Sequence, residues 1–311
     1  MNSLHGIHQF IEVPVIEVLD FVGADIEKDC VIYVKNATEA INKLSNMFKK
    51  MYGKKVVLST FMEHHSNDLP WRDKFIIDYA TVDAEGKLDI ADLEKKMKKY
   101  QGRLKLVTVT GASNVTGIKN PIYEIARLTH KYGAMILVDG AQLVPHNPVD
   151  MNPHTSLSHI DFLVFSAHKM YAPFGTGVLI GPKSFLDSCP PDYKGGGTID
   201  LVTHDFIKWA NAPDKEEAGT PNIMGVIALV EAINVFKSIG MENIKNYEEK
   251  LTGYALDKLS RLSDIILYQR TEDTYPRVSI IPFNIKDMNH SQVARILSDE
   301  CAIAVRNGCV C

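Results

Sequence analysis

The stretch Asp161-Phe-Leu-Val-Phe-Ser166-Ala-His168-Lys169 decides the reading of this chain. A short apolar run, of a length that suits a buried strand, ends on a serine and then presents a histidine and a lysine. Upstream, Ala134-Met-Ile-Leu-Val138 does the same for an acid, running into Asp139-Gly-Ala-Gln142. Two buried strands thus bring an amine and a carboxyl to their carboxyl ends, which is where open α/β sheets hold their ligands.

Working outward, strand-like and helix-like segments alternate. Val31–Val34, Lys55–Ser59, Phe75–Tyr79, Leu104–Thr110 and Gly177–Ile180 read as further strands. Asn36-Ala-Thr-Glu39 opens a helix with apolar spacing at Ala40, Ile41, Leu44, Met47 and Phe48. Asp89–Tyr100 is a helix that Asp89 can cap, and Pro121–Tyr132 a helix with Pro at its first position, closed by Gly133. Strand, helix and strand of these lengths make βαβ units, so the predicted fold is α/β with a mostly parallel sheet between helices. After Gly219-Thr-Pro221 the pattern changes. Ile223–Ile239 and Asn243–Leu262 read as helices, Pro276–Phe283 as a strand and His290–Glu300 as a helix. The expected organisation is a large domain over residues 1–236 and part of a small α+β domain over 237–311.

Composition narrows the function classes. The 311 residues include 45% hydrophobic and 23% charged residues, ordinary for a globular chain. A net charge of −4 gives no footprint for nucleic acid. No apolar run reaches the roughly 20 residues a membrane-spanning helix needs, and the N-terminus lacks a signal-peptide layout, so the expectation is a cytoplasmic protein with no membrane partner. Five cysteines, three of them scattered at Cys30, Cys189 and Cys301, do not form a disulfide framework.

An amine and an acid at the ends of two buried strands suit a cofactor with an aldehyde and a pyridine nitrogen, and pyridoxal 5′-phosphate (PLP) has both. Several motifs now add up in order. They are Met62-Glu-His64-His-Ser-Asn67, Ser113-Asn114-Val-Thr-Gly117, Val138-Asp139-Gly-Ala-Gln142, Ser166-Ala-His168-Lys169-Met-Tyr-Ala-Pro-Phe-Gly-Thr-Gly177, Glu217-Ala-Gly-Thr220-Pro-Asn222 and Arg306-Asn-Gly-Cys309-Val-Cys311. Together they resemble the cysteine desulfurase branch of the class V aminotransferases, which are fold-type I PLP enzymes with an aspartate aminotransferase-like large domain. The match runs from Gly6-Ile-His8 to Cys311.

The resemblance implies roles residue by residue. Lys169 would form the Schiff base, its neutral amine made available by desolvation. Asp139 would partner the pyridinium, Gln142 and Asn114 the phenolic oxygen, and His64 would stack on the ring. Thr38, at a predicted helix N-terminus, with Ser166 and His168, would hold the phosphate. Thr220 would reach the phosphate of a second subunit in a homodimer, near Gly195-Gly-Gly197. By its spacing from Arg306, Cys311 would be the nucleophile that takes sulfur from L-cysteine and leaves alanine, with Cys309 one step off that register and a sulfur-acceptor protein downstream. No metal site is expected: His64–His65 has no helical partner one turn on, and Cys309–Cys311 has no second pair. Against the family's pattern the chain is short at both ends and lacks the segment holding the arginine that clamps the substrate carboxylate. The segment Asn147-Pro-Val-Asp-Met-Asn-Pro-His-Thr155 also runs slightly long. Other readings of the same framework are an aminotransferase, a selenocysteine lyase, an epimerase, or a non-catalytic shortened homologue.

Overall fold

Seven strands form one sheet in the order β1-β7-β6-β5-β4-β2-β3. The computed structural model describes residues 4–268 and 275–308. The strands are β1 Asp29–Val34, β2 Val56–Thr60, β3 Ile76–Ala80, β4 Leu104–Thr110, β5 Met135–Asp139, β6 Phe162–Ser166 and β7 Gly177–Pro182. Two small hairpins follow, β8 Ile199–Val202 with β9 Ile207–Trp209, and β10 Ile265–Leu267 with β11 Phe283–Ile285. The helices are α1 Leu4–Phe21, α2 Ala37–Tyr52, α3 His65–Arg72, α4 Ile90–Lys99, α5 Ile122–Lys131, α6 Lys183–Leu186, α7 Ile223–Ile239, α8 Met241–Leu259 and α9 His290–Cys301. No single helix among the described residues is long and apolar enough to cross a membrane.

The pairings β3–β2, β2–β4, β4–β5 and β5–β6 are parallel, while β7 runs antiparallel to both β6 and β1. The fold is therefore the mostly parallel α/β sandwich that the alternating pattern predicts. β2, β6 and β7 are buried at every position, as strands covered on both faces must be. One core layer packs α1, α4, α5 and α7 against one face, through residues such as Leu19, Leu93, Ile125 and Ile233. The other layer packs α2 and Trp71 of α3 against the opposite face, around Phe48, Phe162 and Phe185.

Local signals place several ends. Asn36 caps α2 by accepting from the Glu39 N–H at 3.0 Å, and the Glu39 carboxylate accepts from the Lys35 N–H at 2.6 Å, a reciprocal arrangement at one helix start. Asp89 caps α4 through the Asp92 N–H, as its position predicts. Pro121, by contrast, is the residue before α5 rather than its first helical residue.

One predicted strand is not there. Pro276–Phe283 is irregular apart from a single bridge between Arg277 and Ile118, and the ladder starts only at Phe283. Pro276 and Pro282 have no N–H to give to a ladder. The segment instead lies along the loop after β4, where the Lys119 N–H donates to the Pro276 carbonyl and the Val278 N–H to the Gly117 carbonyl. Gly117 has φ +72, and a Cβ there would lie 2.9 Å from the Val278 oxygen, so this contact requires glycine. Several elements were not predicted from the sequence, among them α1, the short helices α3 and α6, the β8–β9 hairpin and β10. α1 is held by packing, with Phe21 against Phe236 and Lys237 bridging Glu17 at 2.7 Å and Asp20 at 2.6 Å.

Candidate active site

The carboxyl ends of β2, β4, β5 and β6 and the start of α2 converge on one edge of the sheet. Asp139 is the last residue of β5, opposite Val164 of β6 and Thr110 of β4. Its carboxylate is 4% exposed and accepts from the Ala141 N–H at 3.0 Å. Burial raises its pKa, opposed by that hydrogen bond and by the charges of Lys169 and His64. Lys169 sits in the 3₁₀ turn Ala167–Met170 that leaves β6. Burial lowers its pKa, Asp139 opposes the shift, and Arg306 adds to it. The turn ends on Tyr171 in a left-handed conformation, φ +62, an uncommon state for a side chain of that size.

His64 follows β2 and caps α3, its Nδ1 accepting from the Ser66 N–H at 3.1 Å. The neutral ring then carries its proton on Nε2. The Ser66 hydroxyl lies 3.0 Å from the same Nδ1 and 2.7 Å from the Thr38 hydroxyl on α2. A hydrogen-bonded chain thus joins the predicted ring-stacking residue to the predicted phosphate ligand.

The start of α2 is built for close approach. The buried Ser166 hydroxyl accepts from the Ala37 N–H at 2.8 Å, leaving its own proton to donate elsewhere. Gly177 lies against the Asn36 backbone, where an added Cβ would fall 2.4 Å from the Asn36 Cα. Only glycine lets β7 and the helix start sit this close. Thr38 is exposed at this end, and His168 is exposed beside it in sequence. An anion is favoured at such a helix start by its unpaired N–H groups.

Asn114, Gln142 and Arg306 line a cavity of about 820 Å³ together with residues 279–285 and His290. This brings β11, the segment before it and the start of α9 against the loops that follow β4 and β5. Thr220 is elsewhere: it is exposed and lines a separate cavity of about 300 Å³ with Lys35, Glu39 and Glu217. Cys309 and Cys311 lie outside the described residues.

Two positioning residues escape a motif reading. The Glu63 carboxylate accepts from Thr60 Oγ1 at 2.6 Å, Asn67 Nδ2 at 2.6 Å and the Thr110 N–H at 2.9 Å, and so clamps β2, β4 and α3 directly before His64. Burial pushes its pKa up to about 8 despite those bonds, with a further push from Asp139. Ser66 is the other. The Glu63-His64-His65-Ser66 string carries both, but nothing in it says that Glu63 points inward.

A buried acid, a desolvated lysine beside it, a histidine with a fixed ring and a helix start ready for an anion agree with the donor set that PLP needs. The chain belongs to the aminotransferase class-V family, whose model matches residues 9–311. It is 35% identical over 302 residues to a Synechocystis sp. protein named "Probable cysteine desulfurase", covering 95% of this chain and 70% of that one. A cysteine desulfurase of Wigglesworthia glossinidia brevipalpis is 36% identical over 309 residues, covering 95% and 71%. The apo structure of a cysteine desulfurase from Thermococcus onnurineus NA1 superposes with a TM-score of 0.85 at 33% identity, covering 98% of this chain and 75% of that one. The family is PLP-dependent, and this chain is shorter than these relatives.

Proposed function

We propose that this chain is a PLP-dependent cysteine desulfurase that converts L-cysteine to L-alanine and holds the sulfur as a persulfide. The observation that carries the reading is the pairing of buried Asp139 with desolvated Lys169 at the ends of neighbouring strands β5 and β6. PLP bound there supplies an electron-accepting ring conjugated to an aldehyde.

The residues divide the work. Lys169 would hold the cofactor through its amine and would supply the base beside the substrate Cα, roles for which a neutral amine is needed. Asp139 would hold a proton on the cofactor's nitrogen, His64 would pack against its ring, and Gln142 and Asn114 would donate to its phenolic oxygen. Ser166, Thr38 and His168 take the phosphate at the start of α2. Arg306 lines the same cavity as Asn114 and Gln142 and adds positive charge there. Cys311 takes the sulfur and passes it to an acceptor protein. The chain works as a cytoplasmic homodimer, with Thr220 serving the second subunit's phosphate.

The test is direct. Adding PLP to the purified chain should produce an absorption band that borohydride fixes on Lys169, and the loaded protein should release alanine from cysteine. Cys311→Ala should stop persulfide formation while leaving the band intact. A folded protein whose spectrum does not change on adding PLP would overturn the reading.

A further inference from the structure

At the opposite end of the sheet lies a cluster that the desulfurase reading does not use. Asp29 starts β1, and His154 and His159 sit in the loop that leads from β5 to β6. One ligand atom from each of the three lies within 4.8 Å of the other two. His154 Nε2 is 2.9 Å from Asp29 Oδ1, and the two imidazole rings are 4.0 Å apart between centroids. Asp29 is fully buried and His159 is 3% exposed.

His159 carries the decisive detail. Its Nδ1 is 3.0 Å from the Met151 carbonyl and 2.7 Å from the Asn152 carbonyl. Carbonyl oxygens only accept, so Nδ1 carries the proton and the neutral ring has its lone pair on Nε2. That Nε2 is buried with no hydrogen-bond partner. A buried polar atom left unmatched destabilises the fold, and a metal-ligating histidine has just this arrangement: a backbone carbonyl fixes one nitrogen and frees the other. Asp29 is fixed in the same way, its second oxygen accepting from the Asp25 N–H at 3.0 Å.

We propose that Asp29, His154 and His159 form a structural site for a divalent transition ion of the zinc class. Two imidazoles and one carboxylate suit such an ion, and the His154–His159 spacing falls within the range seen in zinc sites. Binding replaces the His154–Asp29 hydrogen bond: the proton on His154 Nε2 moves to Nδ1 by exchange with solvent, and the neutral ring gives its Nε2 lone pair to the ion. The ion ties the loop before β6 to the edge strand β1. It stands at the amino end of β6, whereas Lys169 stands beyond the carboxyl end, so it holds the fold and takes no part in the chemistry. The sequence reading expected no metal because it weighed only His64–His65 and the cysteines.

The experiment uses the full chain, stripped with chelator and dialysed, then titrated with Co²⁺ and with Zn²⁺. The parent should bind one Co²⁺ per chain with weak visible bands and no thiolate charge-transfer band, and Zn²⁺ should displace it and raise Tm. His159→Gln and His154→Gln should each weaken binding by about 100-fold or more, since loss of an outer partner alone costs about 10–100-fold. If His159→Gln does not fold, the half-buried His154 carries the test through His154→Gln. No saturable binding by the parent, a spectrum dominated by thiolate ligation, or unchanged binding in His154→Gln would overturn the proposal.

Discussion

The two ends of the central sheet handle buried charge in opposite ways. At the carboxyl ends of β5 and β6, Asp139 and Lys169 are both desolvated, and both have pKa values moved toward the neutral form. The Asp139 carboxylate accepts from the Ala141 N–H, and the start of α2 lies on the same edge of the sheet. At the amino ends, Asp29 is more deeply buried and yet bonded on both oxygens, to the Asp25 N–H and to His154. Asp161 nearby has two partners on one oxygen, with Oδ2 2.8 Å from His130 Nε2 and accepting from the Ile136 N–H at 2.8 Å. The difference teaches where stability was given up. Unsatisfied buried charge is costly, so a protein keeps it only where a ligand or a reaction uses it.

The sharpest way to break this contrast is Lys169→Ala. Desulfurase activity should fall by about a thousandfold or more, and borohydride should no longer attach the cofactor to the protein, as read by alanine release and mass of the reduced product. Asp139→Asn should lower activity by about a hundredfold or more. It should also raise the melting temperature of the cofactor-free protein at neutral pH. The Asp139 pKa is raised on folding, so ionisation above it penalises the folded state, and Asn keeps the acceptor for Ala141 without the charge. A lower melting temperature in that variant would erase the distinction between the two ends.

Glu63 sharpens the contrast through pH. Its folded pKa, about 8, lies above the ordinary 4.5, so the folded state holds one more proton than the unfolded state between those values. The contribution of this group is complete below pH 4.5 and is lost as pH rises to about 8, at up to about 1.4 kcal/mol per pH unit. Denaturant midpoints measured across that window should show the slope in the parent and a shallower one in Glu63→Gln. At the other end, Asp29→Asn in metal-free protein should cost about 1–3 kcal/mol of stability while the PLP absorption is unchanged. The smallest effect concerns thiols: burial pushes Cys30 up to about 12 and raises Cys189, so alkylation of the native protein should spare both and label the exposed Cys301, as peptide mapping would show.

Much of the sheet was legible because its strands are short apolar runs with both faces covered, and a continuous run survives any rotation of the element. Leu104–Thr110 and Ile223–Ile239 were placed to the residue. The motif residues Asp139, Lys169, His64, Thr38 and Ser166 were nameable from local strings, since each sits at the end of a strand, shortly after one or at a helix start. Pro276–Phe283 misled because its apolar residues suggest a strand, while its two prolines remove the ladder donors. α1 was hidden because what holds it is packing on α7, far away in sequence.

By itself, the chain's order of residues determined the alternating layers, the mostly parallel sheet and the amine and acid at the ends of two strands, because these follow from periodicity and from residues adjacent in the chain. Tertiary structure alone decided which polar atoms are buried without a partner. It set the clamp of Glu63 across β2, β4 and α3, the Thr38–Ser66–His64 chain, and the meeting of Asp29 with His154 and His159 across 125 residues. Desolvation and hydrogen-bond satisfaction depend on neighbours in space, and no spacing along a sequence encodes them.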